Sequence, residues 1–142
     1  MSELMVAVLV SDRNAKEGVS GLHAQVSLRE RLSDKVYEFE GNATLSDEVT
    51  IERIDITRNE VNAPSELVTK VLEAAFEGCW NDVVIGNRAA AGFRWRPFIP
   101  WLAGHIDVDL LPILRCQITT AFQKICHHPP RCTNRSQNWC GS

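Results

Sequence analysis

This 142-residue chain has a single tyrosine, two methionines and no acidic residue after Asp109, and its uncharged apolar runs are short. The run nearest the start, Leu4 to Val10, is far below the roughly 20 residues needed to cross a bilayer. It also makes a poor secretion signal, because Glu3 stands where a basic region belongs and no small-residue cleavage site follows. The expected location is therefore the cytoplasm, where glycosylation-like triplets such as Asn42-Ala43-Thr44 and Asn134-Arg135-Ser136 carry no meaning. No glycine-rich phosphate loop occurs, since the surroundings of Gly86 and Gly92 lack both the spacing and the lysine. Five cysteines, an odd number, do not suggest a disulfide framework in a reducing compartment.

With 44% hydrophobic and 23% charged residues, the composition is that of a globular domain long enough to bury roughly two thirds of its unfolded surface. The net charge of −3 hides a division. Residues 1 to 77 contain 15 acids and 8 bases, a balance of −7, whereas residues 78 to 142 contain 3 acids and 7 bases, a balance of +4. The second half should therefore seek anions: phosphates, acidic lipid head groups or the acidic half of another copy. The plainer alternative is that the two halves neutralise one another within one fold.

Hydrophobic spacing predicts an α+β fold: a small, mostly antiparallel sheet packed against two or three helices in a single domain, residues 1 to 125, followed by a Cys/His-containing tail, 126 to 142. Leu4 to Val10 reads as a strand buried on both faces, and Leu22, Ala24, Val26 and Leu28 alternate with polar residues as in a half-buried strand. Val36 to Glu40 and Val49 to Thr57 bracket the turn-prone pair Gly41-Asn42, and Asp47. Within the second stretch the apolar phase slips at Glu52 or Arg53, predicting a bulge. Ser65 caps an amphipathic helix through Leu67, Val68, Val71, Leu72, Ala75 and Phe76, which Gly78 is expected to stop. Val83 to Gly86 could form a short strand and Ala89 to Gly92 a flexible link. Phe98 to Leu102 can form a short helix with Pro97 in its first turn, and Ile106, Val108 and Leu110 alternate like a strand. Ile118, Ala121, Phe122 and Ile125 have helical spacing, although Thr119-Thr120 suits a strand equally well.

Chemistry is sparse. Cys126, His128 (or His127), Cys132 and Cys140 are the residue types that hold zinc tetrahedrally, but their spacing matches no common paired-cysteine knuckle. A disordered tail is the plainer reading, so no cofactor is assigned beyond this zinc alternative. Cys79, His105 and Asp107 or Asp109 are the types of a nucleophile, base and orienting acid without a motif to position them. The expectation is a protein that is not an enzyme.

The segment Trp80 to Leu114 holds three of the four tryptophans, two of the five phenylalanines and three arginines. Within it, Phe93, Arg94, Trp95, Arg96, Phe98 and Trp101 interleave rings and cations. Such a pattern suits an anionic membrane surface, where rings settle at the head groups and guanidinium groups meet phosphate. It also suits single-stranded nucleic acid, a protein partner, or simply core plus rim.

The order of features from Ile54-Asp55-Ile56-Thr57-Arg58-Asn59 through the Ser65-capped helix, Trp80, Ile85-Gly86 and Arg96-Pro97-Phe98 to Pro112-Ile113-Leu114 resembles the central part of rhabdovirus matrix proteins, over about 60 of 142 residues. The resemblance implies a small α+β domain that self-associates beneath a viral envelope and contacts membrane and ribonucleoprotein: a homo-oligomer, cytoplasmic and peripheral to membrane, and present in the virion. The family's lysine-rich N-terminus is absent, and Pro129-Pro130 is followed by Arg131 and Cys132 rather than by a budding motif. Membrane contact would then rest on Phe93 to Trp101. The alternative is a small RNA-binding accessory protein with a zinc-stapled tail.

Overall fold

A computed structural model describes residues 3–13, 21–48, 50–80 and 90–126. Four long strands, β1 (Leu4–Arg13), β2 (Gly21–Glu30), β3 (Tyr37–Leu45) and β4 (Ile51–Asn59), form an antiparallel meander in the order β4-β3-β2-β1. Two short strands, β5 (Ala90–Gly92) and β6 (Arg96–Pro97), pair antiparallel with the outer edge of β1. Helices α1 (Ser65–Trp80), α2 (Phe98–Ala103) and α3 (Leu111–Cys126) complete a small α+β domain.

Period-two alternation determines which face of the sheet meets the helices. Val6, Val8 and Val10 lie opposite Leu28, Val26 and Ala24, so these apolar side chains share one face. They are buried together with Phe39, with Leu67, Val71, Leu72 and Phe76 of α1, with Phe98 and Leu102 of α2, and with Ile118 and Phe122 of α3. Each such aliphatic or aromatic side chain contributes roughly 1.5–3 kcal/mol on burial. On the other face Ala7 is also buried, so the centre of β1 is covered on both sides, as its unbroken apolar run predicts.

The phase slip in β4 is a bulge: Thr44 pairs with Arg53 and Leu45 with Ile51, which leaves Glu52 as the extra residue. A second irregularity leaves Thr57 between the pairs Glu40–Arg58 and Gly41–Ile56.

Four expectations are corrected. Gly41-Asn42 is not a turn but the middle of β3, and glycine is needed there because a Cβ would lie 2.5 Å from Leu72 Cδ1 and 2.9 Å from the Asp55 carbonyl oxygen. Gly78 does not stop α1, which continues to Trp80; its missing side chain leaves room for the His105 ring, 3.2 Å from where a Cβ would stand. Ala90 to Gly92 is a strand rather than a loose link, because the outer edge of β1 needs backbone partners. Ile106 to Leu110 is not a strand. Asp107 accepts the Asp109 N–H at 3.0 Å and opens a 3-10 turn over Val108–Leu110 that leads directly into α3. Pro112 fits the first turn of α3, where its missing N–H has no helical partner to lose. The short helix after Pro97 and the helical reading of Ile118 to Phe122 agree with α2 and α3. Val83 to Gly86 and His128, Cys132 and Cys140 lie outside the described residues, as does the side chain of Cys126.

Candidate attachment surface

Between its two pairings with β1, the chain bulges. Gly92 lies opposite Leu9 and Arg96 opposite Val6, so the three residues 93 to 95 face the two residues 7 and 8. The Phe93 N–H still donates to the Val8 carbonyl, which holds the bulge against the strand. To accommodate the extra residue Phe93 adopts φ 70°, a left-handed conformation that is uncommon for a side chain of this size. It is 56% exposed, and Arg94 and Arg96 beside it are exposed as well.

The six residues singled out by the sequence pattern therefore separate. Phe93, Arg94 and Arg96 point to solvent and Trp95 is half-buried. Phe98 is fully buried, so its ring belongs to the core and not to a surface. Trp101 is half-buried, its ring 6.0 Å from that of Phe98 and 5.5 Å from that of His105.

Arg29, which no sequence pattern singled out, joins this group. Its guanidinium carbon lies 4.4 Å over the Trp95 ring, while Nη1 donates to the Ser33 carbonyl at 3.3 Å. Nε of the same side chain is buried without a hydrogen-bond partner. A stacked guanidinium is attracted by the ring's π-face, and an unsatisfied buried donor opposes that gain. In sequence Arg29 is only another polar position in an alternating strand.

The polar face of the meander is different in kind. His23 Nδ1 lies 2.7 Å from Asn42 Oδ1 and Nε2 lies 3.2 Å from Glu40 Oε1. Gln25 donates to Glu38 at 2.8 Å. Arg58 reaches Glu38 at 3.5 Å, Glu40 at 3.4 Å and Glu60 at 3.2 Å. Among the described residues every ion pair lies between residues 3 and 73, and none involves Arg94, Arg96, Arg115 or Lys124. No direct pair among them joins the acidic half to the basic one.

Of the catalytic types, Cys79 is buried, His105 lies against Trp101, and Asp107 is engaged as the cap of the 3-10 turn. Among the described residues no three His, Cys, Asp or Glu side chains gather as a metal site would require. No described helix is long and apolar enough to cross a membrane. Compared with protein families, curated proteins and solved structures, the chain matches none.

Proposed function

We propose that this protein is a non-enzymatic assembly protein of the rhabdovirus matrix type, which self-associates and attaches peripherally to an anionic membrane, with ribonucleoprotein as its other partner. The observation that carries this reading is Phe93, exposed at φ 70° and followed by two exposed arginines, Arg94 and Arg96, that enter no ion pair among the described residues. A folding domain gains nothing from an exposed ring in a strained conformation, and such strain tends to persist where a site needs it. A ring next to cations suits the lipid head-group layer, where the ring reaches the acyl boundary and the guanidinium groups meet phosphate.

Magnitude explains why attachment and self-association belong together. Two arginines at about 1 kcal/mol each, with one inserted ring at about 1.5–3 kcal/mol, give roughly 3.5–5 kcal/mol, near the value for millimolar affinity. A single copy binds only marginally on that sum. Several linked copies convert later contacts into intramolecular ones and hold firmly. On β4, Glu52 is exposed and enters no ion pair among the described residues, so it is available to the unpaired arginines of another copy.

The test is co-sedimentation of the whole chain with vesicles of phosphatidylcholine and phosphatidylserine. Binding is expected to fall with added salt and to drop several-fold in Arg94→Ala/Arg96→Ala. Salt-independent binding, or an unchanged double variant, overturns the reading.

A further inference from the structure

The weak point of a one-loop attachment is its size, and the structure offers a second projecting tip beside the first. The β2–β3 turn places Leu32 at 92% exposure, with Val36 at 38%. One exposed leucine on a surface is ordinary. Its location relative to Phe93 is the informative feature. Glu30, just before the turn, lies opposite Leu4, while Pro97 and Arg96 lie opposite Met5 and Val6, so β6 lies at the same end of the sheet as the turn and the bulge follows next along β1, facing Ala7 and Val8. Arg29 ties them together, because one guanidinium both stacks on Trp95 at 4.4 Å and donates to the Ser33 carbonyl, the residue next to Leu32.

We infer that the β2–β3 turn and the Phe93 bulge form one bipartite surface for an anionic lipid bilayer, with Leu32 and Phe93 as its two apolar insertion points and Arg29 as the residue that positions them. The inference rests on the membrane reading above.

Charge divides the labour between the two tips. Residues 93 to 106 contain Arg94 and Arg96 and no acid, which complements acidic head groups. With Arg29 counted the turn is balanced instead: Arg31 is 3.8 Å from Glu3, and Glu30, Asp34 and Lys35 stand alongside. The bulge therefore supplies the salt-sensitive attraction, and the turn supplies apolar area that salt does not screen. Anchoring by two such signals is what a peripheral protein requires, since one alone gives marginal, reversible attachment.

The experiment uses the full chain and the same acidic vesicles, with the wild type, Leu32→Ser, Phe93→Ser and Arg29→Ala compared over a salt series. Leu32→Ser, at an exposed turn position, should leave the thermal melt unchanged and weaken binding roughly tenfold, the scale of one lost apolar contact, with the same salt slope as the wild type. Arg29→Ala should weaken binding by a similar factor and increase acrylamide quenching of Trp95, read as the difference between each protein and its Trp95→Phe counterpart. Wild-type binding by Leu32→Ser, with Phe93→Ser still weakened, removes the turn from the surface and leaves the membrane reading standing. Unchanged Trp95 quenching in Arg29→Ala overturns the positioning role. A wild type that ignores acidic vesicles overturns both the reading and this surface. If Leu32→Ser instead lowers the native mass of the free protein, the turn contacts another copy and lipid is not its occupant.

Discussion

The polar face of the meander and the Phe93 bulge are both surface regions rich in charge, yet they are built on opposite plans. On the meander, Arg58 is shared among Glu38, Glu40 and Glu60, and His23 sits between Asn42 and Glu40. On the bulge, Arg94 and Arg96 enter none of the ion pairs among the described residues, and an apolar ring stands exposed beside them. A face whose charges answer one another is at rest in water. A face whose cations have no internal counterpart retains electrostatic attraction for something outside, and that difference is what distinguishes a solvated sheet from an attachment surface.

The sharpest way to break the comparison lies between two phenylalanines five positions apart. Phe98→Ala should cost about 3–5 kcal/mol in urea denaturation, since the ring is fully buried between α2 and the sheet. A loss below about 1 kcal/mol would mean that the ring is not a core residue after all. Phe93→Gly should act in the reverse sense. Relief of the left-handed strain should raise stability by up to about 1 kcal/mol while vesicle binding falls, so that stability and attachment separate at one position. The smallest effect is expected on the meander: Arg58→Ala should lower stability by less than about 1 kcal/mol and leave vesicle binding untouched, because its ion pairs are solvent-facing. If Arg58→Ala weakened vesicle binding as much as Arg94→Ala/Arg96→Ala, the division between the two regions would collapse.

Much of the fold could be read from local spacing. Alternation through Leu22 to Leu28 depends only on which side of a pleat each residue faces, and the apolar stripe of α1 depends only on helical spacing, although the helix begins with Ser65 inside it and the Pro64 carbonyl, not a Ser65 cap, accepts its first hydrogen bonds. The phase slip at Glu52 is equally local, because an extra residue must displace the alternation by one. Gly41 and Ala90 to Gly92 are misread because a distant element decides there. Gly41 looks like a turn residue until Leu72 of α1 is laid against it. Ala90 to Gly92 looks like a link until β1 presents an edge to be paired.

The candidate surface divides in the same way. The sequence by itself determined that rings and cations crowd together between Phe93 and Trp101 and that no acid stands among them, because composition and order need no third dimension. It also determined the alternation and the helical spacing from which the strands and α1 are made. Only the tertiary structure decided that Phe98 turns inward while Phe93 turns outward, and that Arg29 reaches Trp95 across 66 positions of chain. The physical reason is that burial and stacking are contacts between elements. They are set by the register in which β1 receives β2 on one side and the bulged segment on the other.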